Sequence, residues 1–182
     1  MKSRLLAALA ALVAFASAPV TRAADLDEDA SQFIKLANGI IAQAVLGKID
    51  VAAVRTDTVK MLDLAAGFAA RYKAKYTAGA KLMNLMISKK DSLASMSLAT
   101  IDAEFEAAAI NKAHGAALGL DLTAEENEHF GNPVDCFVHP ATAAICAALW
   151  EQDHKQEHLT RLQSEMQEVV EHCRHTVEKL KK

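Results

Sequence analysis

Apolar residues recur along this chain at intervals of three and four and almost never in strict alternation, a pattern that predicts helices rather than strands. Over residues 31–48 the stripe is Phe33, Leu36, Ile40, Ile41 and Val45. A second stretch covers at least 51–76 through Val54, Val59, Met61, Leu62, Leu64, Ala65 and Phe68, with Asp50 placed to cap its start. Gly79 marks a break or kink before Leu82, Met83, Leu85 and Met86 resume the pattern. After the polar connection Lys89-Lys90-Asp91-Ser92, Thr100 is placed to cap a helix through Ile101, Phe105, Ala108, Ile110 and Ala113 that Gly119 ends.

Thr123 and Glu126 have the spacing of a capping box, which predicts a short helix through His129. Phe130-Gly131-Asn132-Pro133 then predicts its end. The last helix is expected to start at Pro140, whose fixed φ suits a first turn. It runs on through Ile145, Leu149, Leu159, Leu162, Met166, Val169, Cys173, Val177 and Leu180. A helix of roughly 40 residues is about 60 Å long, so it must bend or lie along other long helices or a second subunit. The expected fold is all-α: an elongated, mainly antiparallel bundle of four or five helices around one core. No repeat or linker divides residues 24–182, so they form one expected domain.

The first residues carry a different pattern. Lys2 and Arg4 precede an uncharged apolar run over 5–16, and Thr21 and Ala23 put small residues three and one before a cleavage point. Residues 1–23 therefore read as a secretory signal, and the mature protein is expected to be periplasmic or secreted. The apolar run is too short to cross a bilayer, and no later stretch is an uninterrupted apolar span, so no integral membrane span is expected after cleavage. The formal charge of -3 becomes more negative once Lys2, Arg4 and Arg22 leave with the signal. An acidic exported chain has no electrostatic basis for binding nucleic acid.

Export also changes the reading of Cys136, Cys146 and Cys173. An oxidising compartment favours a disulfide, and each of the three single pairings leaves one thiol over. There is no CxxC and no CxxCH, which excludes haem attachment through that motif.

All seven histidines lie beyond residue 113. His129, Asp135, Cys136 and His139 bring imidazole, carboxylate and thiol donors together within HFGNPVDCFVHP, expected to be an irregular loop able to point them inward. His154 and His158 are four apart, one turn of the expected last helix, where two imidazoles can grip one ion. The candidate ligands are His129, Cys136, His139, His154 and His158, for copper, zinc, nickel or cobalt. His172 and His175 read instead as cations favouring the end of the last helix, and His114 as an isolated side chain. Glu126-x-x-His129 and Glu151-x-x-His154 invite comparison with di-iron bundles. The first two helices, however, offer no glutamate between Asp29 and Lys90 to complete that ligand set.

The sequence reading is thus an exported helical bundle that binds a transition metal for storage, delivery or sensing rather than catalysis. Two alternatives use the same residues: a structural bundle that forms a homodimer or docks an envelope protein, and a small redox or haem-containing protein.

Overall fold

The computed structural model describes residues 23–120 and 122–182. The expected signal lies outside them except for Ala23, which opens the first helix. Seven α-helices occupy the described residues, rather than four or five: α1 (Ala23–Val45), α2 (Val51–Lys75), α3 (Ala80–Leu93), α4 (Leu98–Glu104), α5 (Ala107–Leu118), α6 (Ala124–Asp153) and α7 (Gln156–Lys181). A 3₁₀ turn, Thr77–Gly79, joins α2 to α3. The fold is all-helical among the described residues, as the periodicity predicts.

The four long helices run against one another in alternating directions. Arg71 of α2 pairs with Asp29 of α1 at 2.7 Å, and Phe68 meets Phe33 with ring centroids 5.8 Å apart. On α6, His129 lies beside Tyr72 of α2, and Pro140 beside Thr58. On α7, Lys179 reaches His129, while Glu165 reaches His139. Lys181 then returns to Asp27 of α1. In each pair the early residues of one helix meet the late residues of the next. Their shared core is filled by Phe33, Ile40, Met61, Phe68, Tyr72, Phe137, Leu162 and Met166. Val45 and Val59, expected on the buried stripes, are exposed.

Helix α6 departs most from expectation. It starts at the predicted capping box, with the Glu126 N–H donating to Thr123 Oγ1 at 3.2 Å and the Thr123 N–H to Glu126 Oε2 at 2.9 Å. It then continues through Phe130-Gly131-Asn132-Pro133 and Pro140 without stopping. Pro133 has no N–H to offer the carbonyl of His129, four residues earlier. That carbonyl instead accepts from the Tyr72 hydroxyl at 2.9 Å and from Lys179 Nζ at 3.5 Å. Groups from two neighbouring helices take the place of the missing backbone donor. From Pro133 to Ala147 every residue of α6 is buried, as expected of a helix apolar on all sides. The stretch His129–Asp153 is long and apolar enough to cross a membrane, and 83% of its apolar window is buried inside the fold.

The chain breaks where no break was expected, between Asp153 and Gln156. His154 takes the left-handed conformation (φ 54°) and its N–H donates to Trp150 O at 2.9 Å. The Asp153 carboxylate accepts the Lys155 N–H at 3.0 Å, which closes the turn. The expected helix from Pro140 to the C-terminus is therefore the end of α6 followed by the whole of α7.

Candidate metal centre

Helices α6 and α7 form a hairpin, and their facing residues build one cluster of donor atoms. Asp135 and His139 lie four apart on α6, hence on one face. His172 faces them from α7. One ligand atom from each of the three lies within 4.8 Å of the others. Asp135 and His139 are buried and His172 is half-buried. The two imidazole rings stack at 5.1 Å with planes 13° apart, and His172 Nε2 stands 3.7 Å from Asp135 Oδ2.

Each imidazole is oriented by a second group. His139 Nδ1 lies 2.5 Å from Glu165 Oε2; an ionised carboxylate only accepts, so Nδ1 carries a hydrogen and Nε2 is the nitrogen that bears the lone pair whenever the ring is neutral. Glu165 is held in turn by Arg161, whose Nε–H donates to Oε1 at 3.0 Å. His172 Nδ1 donates to Asn132 Oδ1 at 2.8 Å, again leaving Nε2 as the donor atom. A histidine whose second nitrogen is tied to a carboxylate or carbonyl oxygen is the usual arrangement of a metal ligand.

Helix α5 covers the cluster at its N-terminus. The Ala107 backbone N–H donates to Asp135, placing the positive end of a helix on the carboxylate. Gly131 makes this approach close: a Cβ there would lie 3.3 Å from that of Ala107. The same side of the fold brings in Asp102 and Glu106, which face Arg161 at 2.5 Å and 3.9 Å.

This crowding shifts the titrations. Burial pushes the Asp135 carboxyl up to about 6, against the pull of His139 and the Ala107 N–H. Burial and then the neighbouring Asp102 and Glu165 raise Glu106. His172 is lowered to about 4, first by burial and then by His139. For His139 burial opposes the charge, but Glu165, Asp135 and Glu168 outweigh it and the pKa is raised. Desolvated acids beside two oriented imidazoles favour a cation among them.

Of the five expected ligands, only His139 belongs to this cluster. His129 is ten residues away, about 15 Å along the helix, and joins Tyr72 and Lys179 instead. HFGNPVDCFVHP is helical rather than a loop, so its donors are spread along a helix axis and do not all converge. Cys136 is fully buried, with Sγ 3.9 Å from Thr176 Oγ1. His154 lies in the break between α6 and α7 and His158 on α7, so one-turn spacing does not apply to them. His154 packs edge-on against Trp150 at 5.2 Å, and His158 Nε2 pairs with Asp153 at 3.2 Å. All three cysteines are free and buried, so no expected disulfide forms among the described residues.

Sequence reasoning noted Asp135 without selecting it, read His172 as a C-terminal cation, and gave Glu165 no role. The available signal was the four-residue spacing of Asp135 and His139, visible only once the segment is known to be helical. No family model, curated protein or solved structure matches this chain.

Proposed function

We propose that this protein is an exported, elongated helical bundle that binds a divalent transition metal at Asp135, His139 and His172, for storage, delivery or sensing. The observation that carries the reading is the pair of imidazoles whose Nδ1 atoms are held by Glu165 and Asn132 and which each bring a ring nitrogen within 4.8 Å of an Asp135 carboxylate oxygen. Two nitrogens and one oxygen suit zinc, cobalt, nickel or copper(II). Without the thiol of Cys136 the set lacks the soft donor that would favour copper(I). Three protein ligands leave a fourth position open for water or exchange, which supports handling of the ion over a closed structural role. The alternating pairing of α1, α2, α6 and α7 supports the bundle.

The test is elemental analysis of the purified untagged protein, followed by calorimetric titration of the chelator-treated protein with zinc, cobalt, nickel and copper(II). The expected result is about one equivalent of metal, abolished in a His139→Ala/His172→Ala variant and retained in His154→Ala/His158→Ala. No binding at micromolar metal, or loss only in the His154/His158 variant, would overturn the assignment.

A further inference from the structure

The ends of α2, α6 and α7, with the 3₁₀ turn, border an open cleft of about 730 Å³ that shares no residue with the metal cluster. Two ammonium groups stand in its wall. Lys75 Nζ donates to the carbonyls of Lys179 and Leu180, both at 3.1 Å, and lies 5.6 Å from the centre of the Tyr76 ring. Lys179 Nζ lies 3.0 Å from His129 Nδ1. These acceptors are carbonyl oxygens and an imidazole nitrogen. Among the side chains that the structure describes, which leave out Glu125 and Glu128, no carboxylate forms an ion pair with either lysine.

Three of the other six lining residues carry rings: Tyr76, His129 and Phe130. Tyr76 and His129 meet edge to face at 4.6 Å, and His129 lies edge-on to Phe130 at 5.1 Å. Glu126 lines the cleft too, but its Oε2 takes the N–H and hydroxyl of Thr123 in the capping box. The volume lies within the roughly 300–1,000 Å³ of small-molecule sites, in which an apolar body and a few polar groups divide affinity from orientation. An ammonium group that donates to carbonyl oxygens or an imidazole nitrogen gains a stronger, charge-assisted hydrogen bond when an anion arrives.

We infer that this cleft binds a small organic anion with a flat apolar body, its acid group on Lys75 and Lys179 and its body against Tyr76 and His129. The inference stands apart from the metal reading, since neither set of residues contributes to the other.

The test is fluorescence titration of the full chain with anilinonaphthalene sulfonate, an anionic flat probe, and with uncharged phenylnaphthylamine. One sulfonate site is expected at micromolar concentration, with the uncharged probe at least about tenfold weaker. Lys75→Gln/Lys179→Gln should weaken the sulfonate at least about tenfold. Because Lys75 also caps α7, a second variant, Ala78→Trp, fills the cleft from an exposed position and keeps both lysines. It should lose the probe while its circular dichroism spectrum stays that of the parent. Sulfonate binding that survives Ala78→Trp, or equal affinity for the uncharged probe, would overturn the inference.

Discussion

His139 of α6 and Glu165 of α7 meet at 2.5 Å, Nδ1 to Oε2, with about a tenth of each side chain exposed. The contact fixes the tautomer of His139 and makes its free nitrogen a better donor. Arg161 holds the carboxylate from the other side. Glu165→Gln keeps the volume but removes the charge, and should weaken zinc binding about 10- to 100-fold. Calorimetry would show this; an unchanged affinity would mean that Glu165 does not support the ligand.

The same neighbourhood sets a pH dependence for the metal-free protein. Between 3.8 and about 6 the native Asp135 holds a proton that the unfolded chain has lost, so its contribution to stability falls as pH rises. Between about 4 and 6.5 the unfolded chain holds a proton that native His172 lacks, so that contribution rises with pH. The two oppose each other over most of one window. Asp135→Asn should therefore make stability climb more steeply with pH across it, measured as urea midpoints in the presence of chelator. Parallel profiles for parent and variant would contradict the shift at Asp135.

Pro133 and Tyr72 are linked through the carbonyl of His129. Tyr72→Phe removes that carbonyl's 2.9 Å donor and should cost about 1–3 kcal/mol. In a Pro133→Ala background the helix can supply its own N–H, so the same change should cost at least about 0.5 kcal/mol less. Urea denaturation of the four proteins closes the cycle, and strictly additive costs would break the link.

Burial raises all three thiols, Cys146 and Cys173 to about 12 and Cys136 well above its ordinary value. A thiolate-directed reagent should react slowly with the native protein and titrate three thiols in denaturant without reductant. Fewer than three would reveal a disulfide that this packing does not contain.

Much of the helical layout was legible from local chemistry. The capping box at Thr123 and Glu126, the Asp50 cap and the Gly119 stop lie where the sequence places them, because each depends on residues within a turn of itself. One error lies where distant residues intervene; others are local, with Ser97 rather than Thr100 capping α4 and a break at Phe105–Glu106 dividing the helix expected to run to Gly119. Pro133 reads as a stop because a proline removes a backbone bond, yet Tyr72 and Lys179 supply replacements from helices far away in sequence. His154 reads as mid-helix because nothing local demands a left-handed residue there.

Those two boundaries decided the metal cluster. Helix in place of loop at residues 129–140 carried His129 away from His139 and put Asp135 beside it; the break left His154 between two helices and His158 on the second. By itself the sequence determined the all-helical class, the caps and the C-terminal concentration of histidines, since these follow from composition and short-range spacing. Only the tertiary structure decided that Asp135, His139, His172 and Glu165 converge. Their meeting depends on α7 folding back along α6, and side chains 26 to 37 residues apart in the chain have no local pattern that brings them within reach.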